Sequence, residues 1–197
     1  MRIVAGEFKG RTVRTPPGNG TRPTSDRVRE SLFSSLESLG MLDDAVVLDL
    51  FAGSGSLGLE ALSRGARHVT FVEKAASVVR VLEGNLKDLG VHGSGGSGGA
   101  GTARTTVQAR SALAAVQGLA PGTVDLVLAD PPYPLGESDV AALLEALVPV
   151  LRDAASLIVL ERSARSPRPT LPAGLSVYEE RTKGETSLWL LERTREE

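Results

Sequence analysis

Residues 46–58 read VVLDLFAGSGSLG, a mostly apolar run that leads into glycines spaced as Gly53-x-Gly55-x-x-Gly58. An apolar run of this length is typical of a buried strand, and the residues after it have the spacing of a helix. Glycines between a strand and a helix allow a tight turn and let a ligand approach the backbone closely. The stretch therefore predicts a strand, a turn for a nucleotide-type cofactor, and a helix.

The same alternation of short strands and longer helices continues along the chain and predicts an α/β fold with a parallel sheet covered by helices. The predicted strands are Ala45–Leu50, Val69–Val72, Thr105–Ala109, Val124–Ala129 and Leu157–Leu160. The predicted helices are Ser56–Arg64, Ala75–Leu89, Leu113–Gln117 and Ser138–Leu151. Two further strands, Leu175–Glu180 and Thr186–Leu191, predict an antiparallel hairpin with its turn at Lys183-Gly184, at the edge of the sheet.

The N-terminal region does not follow the alternation of strands and helices. Arg2–Val4 and Arg11–Arg14 predict a small hairpin, and a helix is expected from Ser25 or Asp26 through Ser38. We therefore divide the chain into an N-terminal arm, residues 1–24, and a core domain, residues 25–197. Residues 93–101, GSGGSGGAG, resemble a flexible linker inserted between a helix and a strand.

Composition narrows the class of protein. Hydrophobic residues make up 41% and charged residues 23%, and no apolar run approaches the roughly 20 residues of a membrane-spanning helix. The chain has no cysteine, which excludes disulfides and thiolate metal sites, and its two histidines are too few for an imidazole metal cluster. We expect a cytoplasmic, monomeric protein without a bound metal.

Positive charge is concentrated near the N-terminus. Residues 1–29 carry a local net charge of +5 in a chain whose total is −2. The basic side chains are those of Arg2, Lys9, Arg11, Arg14, Arg22, Arg27 and Arg29. Such a segment is either a solvated charged terminus or a surface that contacts a phosphate backbone.

Two acidic residues bear on the identity of the cofactor. Glu73 follows Gly53 by 20 residues at the end of the second predicted strand, where a carboxylate can hold a ribose. Asp49 lies inside the end of the first strand, where it would repel a pyrophosphate but attract the cationic amine of a methionine. The turn itself serves NAD and S-adenosyl-L-methionine alike, and Asp49 favours the latter. A purely loop-bracing role for Asp49 is the alternative.

The second chemical motif is Asp130-Pro131-Pro132-Tyr133, which follows the apolar run Val124–Ala129. In open α/β sheets, ligands bind and reactions take place at the carboxyl ends of the strands, and this motif follows such an end. An exocyclic base amine is a poor nucleophile, and two acceptors, the Asp130 carboxylate and the Pro131 carbonyl, can bind its protons and orient its lone pair. The prolines fix this arrangement, and Tyr133 offers a ring on which an extruded base can stack. An ordinary turn after a strand is the alternative.

Four groups of motifs run through the chain. They are RIVAG at residues 2–6 with KGR at 9–11, TRPTSDRVRESLF at 21–33, DLFAGSG at 49–55 with LGLEA at 57–61, and DPPY at 130–133. Together they resemble the RsmD-type bacterial methyltransferases, which methylate the N2 amine of a guanine in small-subunit (16S) ribosomal RNA. The resemblance covers nearly the whole chain, and residues 22–33 are its most specific part.

The resemblance implies a Rossmann-like class I methyltransferase with a seven-stranded, mostly parallel sheet and S-adenosyl-L-methionine as methyl donor. The donor-binding residues that it implies are Asp49, Phe51, Ala52, Gly53 and Gly55, with Glu73 at the ribose. Ser111 is expected near the adenine, where many methyltransferases have an acid or an amide. Asp130 is expected at the target amine. The implied RNA contacts are Lys9, Arg11, Arg22, Arg27 and Arg29, and the implied partner is 16S ribosomal RNA in the small subunit or in an assembly intermediate.

Three other functions share some of these features. An exocyclic-amine methyltransferase acting on adenine or DNA would use the same catalytic motif. An NAD-dependent oxidoreductase would use the glycine turn but leaves Asp130–Tyr133 unexplained. A catalytically silent RNA-binding assembly factor would keep the fold without turnover, and the intact Asp130 and Tyr133 count against it.

Overall fold

The computed structural model describes residues 1–16, 26–92, 103–132 and 135–194. The predicted linker at residues 93–101 and the predicted site residues Arg22 and Tyr133 lie outside these ranges. Within them, no helix is both long enough and apolar enough to cross a bilayer.

The elements of the described residues follow the predicted order of strands and helices. In chain order they are α1 (Asp26–Ser38), β1 (Val46–Leu50), α2 (Ser56–Ser63), β2 (His68–Val72), α3 (Ala76–Leu89), β3 (Thr105–Gln108), α4 (Ala112–Val116), β4 (Leu126–Ala129), α5 (Glu137–Leu147), a 3₁₀ turn (Val148–Val150), β5 (Leu157–Ser163), β6 (Leu175–Lys183) and β7 (Thr186–Arg193). The predicted helix from Ser138 to Leu151 is too long at its C-terminal end. Pro149 has no N–H to donate to the preceding turn of the helix, so α5 ends at Leu147 and the chain tightens into the 3₁₀ turn.

The strands form one sheet in the order β3-β2-β1-β4-β5-β7-β6. Strands β1 to β5 are parallel, and β7 runs antiparallel to both of its neighbours. The predicted seven-stranded, mostly parallel sheet with a C-terminal antiparallel hairpin is confirmed. Because the carboxyl ends of parallel strands meet at one edge, the ends of β1, β2, β4 and β5 lie together. We call this the carboxyl edge of the sheet.

Side chains on the two faces of the sheet belong to two separate hydrophobic clusters. One cluster joins alternate residues of β1, β4, β5 and β7 to helices α1, α2 and α3. It contains Leu126, Leu128, Leu157 and Val159, and we call this side of the sheet the α1/α2 face. The other cluster joins the intervening residues to α4 and α5. Burial on both faces explains why the strands are almost continuously apolar.

The first 16 residues pack against the α1/α2 face. Arg2 and Thr12 form an antiparallel bridge, which confirms the predicted N-terminal hairpin in its smallest form. Ile3, Phe8 and Val13 are buried in the same cluster as the side chains of α1. The boundary at residue 24 remains a prediction, because it falls outside the described residues.

Candidate active site

The turn between β1 and α2 has an unusual backbone. Phe51, Gly53 and Gly55 all have positive φ, at 62°, 56° and 86°. The left-handed region is costly for a phenylalanine, and such strain is concentrated at functional sites. The turn is held by the N–H of Ala52, which donates to the Val72 carbonyl at 2.9 Å, and by the N–H of Gly55, which donates to the Ala52 carbonyl at 2.7 Å.

The three glycines of the turn are needed for different reasons. A Cβ on Gly58 would come within 2.4 Å of the Phe71 ring, and one on Gly55 within 2.5 Å of Leu82, so both are needed for close packing. A Cβ on Gly53 would meet nothing nearer than 3.9 Å. The backbone is therefore open to a ligand at Gly53, and this opening fits a cofactor that approaches the turn from the carboxyl edge.

Asp49 is a buried carboxylate directly beneath the turn. Its Oδ2 accepts a hydrogen bond from the N–H of Gly58 at 2.9 Å, which ties β1 to α2. The pKa of Asp49 is raised to about 7, mainly by burial and also by the negative charge of Glu73, while the hydrogen bond from Gly58 acts in the opposite direction. The structure thus gives Asp49 a bracing contact. Its raised pKa also marks it as a carboxylate that a nearby cation would stabilise.

Glu73 follows β2 and connects the tips of two neighbouring strands. Its carboxylate accepts the N–H of Gly53 at 3.2 Å and the N–H of Ala75 at 2.8 Å. The side chain is partly exposed. The structure therefore brings the predicted donor-binding residues Asp49, Gly53 and Glu73 together at the carboxyl edge.

Asp130 lies beside this turn. The last residues of β1 and β4 pair in register, Leu50 opposite Ala129, so the glycine turn and Asp130 leave adjacent strands side by side. The pKa of Asp130 is raised to about 8, mainly by burial and also by the negative charges of Glu161 and Asp49. A carboxyl group with this pKa is poised to exchange a proton near neutral pH.

The prolines after Asp130 shape the rest of the predicted catalytic loop. Pro131 is partly exposed and Pro132 is exposed, and the Pro132 carbonyl accepts the N–H of Leu135 at 2.9 Å. This hydrogen bond links the end of the described segment after β4 to the residue before Gly136 and α5. Tyr133 is outside the described residues, and its stacking role stays a prediction.

Ser111 caps a helix. It precedes α4, and its hydroxyl accepts the N–H of Ala114 at 3.3 Å. The side chain is exposed, in the short connection between β3 and α4. The predicted contact of Ser111 with a cofactor adenine stays a prediction beside this capping role.

The predicted RNA contacts separate into two kinds. Lys9, Arg11 and Arg27 are exposed, and one guanidinium nitrogen of Arg11 donates to the Asp88 carbonyl at 2.6 Å. Arg29 does not fit the prediction that it contacts RNA, because only 1% of it is exposed. Its guanidinium donates instead to the Arg2 carbonyl at 2.8 Å, and a buried position cannot reach a phosphate.

Two buried polar residues were not identified from the sequence. Glu60 is expected to be solvated or paired along its helix, but it is completely buried. It accepts the N–H groups of Val4 and Ala5 at 2.8 and 3.1 Å and bonds Arg64 one turn later. The pairing with Arg64 could be predicted from the i,i+4 spacing, but the contact with the N-terminal segment could not.

Asn85 is the second missed residue. It lies on α3 with 2% exposure. Its side-chain N–H groups donate to the carbonyls of Arg14 and Ser54 at 2.9 and 3.0 Å, and its oxygen accepts the N–H of Arg14. One amide thereby connects the end of the N-terminal segment to the glycine turn.

A cavity lies at the opposite edge of the sheet, where the parallel strands begin, which we call the amino edge. It has a volume of about 390 Å³ and is lined by residues before β1 and β4 and after α5, including Asp44, Asp125 and Arg152. None of the predicted site residues lines it. Among the described residues, no three acidic or histidine side chains form a group that could hold a metal ion.

Comparison with known proteins agrees with this geometry. The family described as conserved hypothetical protein 95 matches residues 1–192. Ribosomal RNA small subunit methyltransferase D of Escherichia coli (strain K12) is 36% identical over 198 residues, covering 98% of this chain and 90% of the relative. The putative rRNA methyltransferase YlbH of Bacillus subtilis is 45% identical over 89 residues, covering 45% of this chain and 47% of the relative.

Solved structures give the same result. The putative methyltransferase yhhF from Escherichia coli has a TM-score of 0.79 and 33% identity, covering 100% of this chain and 99% of that one. A putative methylase from Haemophilus influenzae has a TM-score of 0.75 and 30% identity, covering 98% of each chain. A putative RNA methyltransferase from Pyrococcus horikoshii, at 18% identity and a TM-score of 0.69, shares the fold. The chain therefore belongs to the conserved hypothetical protein 95 family, the RsmD-type methyltransferases.

Proposed function

We propose that this protein transfers a methyl group from S-adenosyl-L-methionine to the exocyclic N2 amine of a guanine in small-subunit (16S) ribosomal RNA. The observation that carries the proposal is the position of Asp130 beside the glycine turn, set by the pairing of Leu50 with Ala129. A donor group and an acceptor group bound at these two strand ends would be neighbours. The name of the Escherichia coli relative supports ribosomal RNA as the substrate.

The residues around the turn fit the proposed donor. S-adenosyl-L-methionine, when bound, supplies an electrophilic methyl group on a positively charged sulfur. The turn is open at Gly53, where a ligand can approach the backbone. Asp49 offers a buried carboxylate whose raised pKa a positive group would lower, and the Glu73 carboxylate reaches the same place from β2. Phe51, Ala52 and Gly55 complete the turn, and Ser111 is proposed at the adenine end.

Asp130 and Pro131 are proposed to bind the target amine. The Asp130 carboxylate accepts one amine proton and the Pro131 carbonyl accepts the other, so that the nitrogen lone pair points out of the base plane. The bond from the amine nitrogen to the methyl carbon would form as the carbon's bond to the donor sulfur breaks, leaving a neutral thioether, and the nitrogen must then lose one proton. Asp130, with a pKa of about 8, is placed to take it. Pro132 fixes the loop, and Tyr133 is proposed to stack on the base.

The basic N-terminal region is proposed to bind the RNA backbone. Lys9, Arg11 and Arg27 are exposed, and Arg22 is assigned with them from the sequence. Residues 1–16 are anchored to α2 through Glu60 and to α3 through Asn85, so Lys9 and Arg11 lie on an anchored segment of the protein. Phosphate contacts made by such residues would supply affinity and orientation rather than choice of base.

One experiment tests the activity directly. The protein is incubated with a methyl-labelled donor and small ribosomal subunits that lack methylation, and the modified nucleotide is mapped by mass spectrometry. The expected product is N2-methylguanine at a single position. Methylation of an adenine would show that the substrate base is adenine and not guanine. If no methyl group were transferred to naked rRNA, assembly intermediates or finished subunits, the protein would be a catalytically silent assembly factor.

A further inference from the structure

A second carboxylate stands next to Asp130. In the parallel pair β4 and β5, Ala129 lies opposite Leu160, so the residues that follow, Asp130 and Glu161, are lateral neighbours. Adjacent strands are about 4.8 Å apart, which places the two side chains close together at the carboxyl edge.

The alternation of the strands puts both carboxylates on the α1/α2 face. Asp130 continues the series of Leu126 and Leu128, and Glu161 continues that of Leu157 and Val159. Both acids are partly exposed. The next residue, Arg162, is bonded to Glu137 of α5. The site therefore presents two acceptor groups side by side, and the charge of Glu161 is one of the causes of the raised pKa of Asp130.

Two neighbouring carboxylates match the chemistry of one base. Guanine presents two adjacent donors on its Watson–Crick edge, the N1–H and the exocyclic N2 amine. Adenine presents an acceptor lone pair at N1, which a carboxylate would repel. Near neutral pH Asp130 holds a proton beside the charge of Glu161. A ligand with two adjacent donors favours the ionised form of both acids, so its binding releases that proton to solvent.

We propose that Glu161 is the residue that selects guanine, by accepting the N1–H of the extruded base while Asp130 accepts the N2 amine. This inference rests on the proposed function and adds a specificity-determining residue to it. It assigns the choice of base to the tip of β5, whereas the methyl acceptor is held at the tip of β4. Discrimination of this kind is strong because the wrong base leaves the Glu161 acceptor facing a lone pair.

The test compares two bases that share the reacting amine. Small-subunit RNA is prepared with guanine or with 2-aminopurine at the mapped target position. 2-Aminopurine keeps the N2 amine but has a lone pair at N1 in place of the N1–H. For the wild-type protein we expect kcat/KM to be larger for guanine, and for Glu161→Gln we expect this preference to fall by roughly 10- to 100-fold. The glutamine amide can donate to the N1 lone pair, so the variant should have a higher kcat/KM for 2-aminopurine and a lower kcat/KM for guanine than the wild type.

Base extrusion gives a second readout that does not depend on turnover. The fluorescence of 2-aminopurine rises when the base leaves the stack, and Glu161→Gln should show a larger rise than the wild type. The missing O6 of 2-aminopurine affects both proteins alike and cancels when their preferences are compared. Glu192→Gln is the matched control, because Glu192 lies on β7 opposite Leu157, at the other end of β5. It should keep the wild-type preference.

The outcomes separate the two proposals. An unchanged guanine preference in Glu161→Gln, with a shift only in the pH dependence of both substrates, would show that Glu161 merely tunes Asp130 and would overturn the inference. Failure of the wild-type protein to methylate guanine in any substrate would instead overturn the proposed function. Retained donor binding by Glu161→Gln, measured by calorimetry, shows that the variant is folded.

Discussion

The two edges of the central sheet both carry acidic residues, but their surroundings differ. At the amino edge, Asp125 receives a bond from the backbone N–H of Val46 at 2.8 Å and forms an ion pair with Arg152. Asp44 is paired with Arg67 at 3.5 Å. At the carboxyl edge, Asp49 and Glu73 accept backbone N–H groups, and Asp130 has other carboxylates as its charged neighbours.

The acids of the two edges therefore differ in their surroundings rather than in residue type. The cavity of about 390 Å³ is at the amino edge, where Asp44 and Asp125 are paired with arginines. At the carboxyl edge the pKa of Asp49 is raised to about 7 and that of Asp130 to about 8, mainly by burial and also by neighbouring carboxylates. Arrangements that are unfavourable for folding are concentrated where they serve function.

The largest effect should come from removing the Asp130 carboxylate. We expect Asp130→Ala to lower kcat by about 10²- to 10⁴-fold, because it loses both an acceptor for the amine and the group that takes its proton. Donor affinity should stay nearly unchanged. Initial rates with labelled donor and calorimetric titration measure the two quantities.

The comparison between the edges supplies the control for Asp130→Ala. Asp125→Ala removes a carboxylate from the amino edge, and it should lower the melting temperature without lowering kcat. If Asp130→Ala lost donor affinity and turnover together, Asp130 would be a structural residue and the contrast between the edges would fail.

A smaller effect is expected at Asp49. Asp49→Asn keeps the size of the side chain but removes the negative charge proposed to face the donor's amine. We expect donor affinity to fall roughly 10- to 100-fold, the range for a hydrogen bond to a charged group. Calorimetry with S-adenosyl-L-methionine measures this loss. Unchanged affinity would mean that Asp49 serves only to brace Gly58, the alternative that its hydrogen bond allows.

Most of the fold could be predicted from the sequence because its signals are local. The apolar run before the glycine turn and the strand-helix alternation predict the order of the elements, and the turn at Lys183-Gly184 predicts the hairpin. The end of α5 was missed although its cause, Pro149, is also local. The helical pattern of apolar residues continues past the proline and hides the break.

The site was predictable only where a motif carries it. Asp49, Glu73 and Asp130 belong to motifs and do meet at one edge. Arg29 and Glu60 look like surface charges in the sequence, and only the packing of the N-terminal segment on α2 buries them. Glu161 has no motif of its own, since its position beside Asp130 follows from the register of β4 and β5.

A third prediction concerns pH and stability. The pKa of Asp130 is raised from 3.8 to about 8, so the folded protein keeps a proton that the unfolded chain releases. Between these values unfolding releases this proton, and the contribution of Asp130 to the free energy of unfolding therefore falls as the pH rises. Asp130→Asn carries no such proton. The difference in melting temperature, Asp130→Asn minus wild type, should be more positive at about pH 9 than at about pH 5, as measured by calorimetry. A difference independent of pH would contradict the raised pKa.

The smallest effect is expected at the amino edge. Arg152 forms an exposed ion pair with Asp125 and donates to the Thr123 carbonyl at 3.1 Å. Exposed ion pairs contribute little to stability and are screened by salt. Arg152→Ala should lower the melting temperature slightly at low salt, less at high salt, and leave methyl transfer unchanged, whereas Arg152→Lys should retain part of the stability. Pairing with arginine distinguishes the acids Asp44 and Asp125 of the amino edge from Asp49 and Asp130. Loss of methyl transfer in Arg152→Ala would therefore show that the acids of the amino edge also contribute to the chemistry.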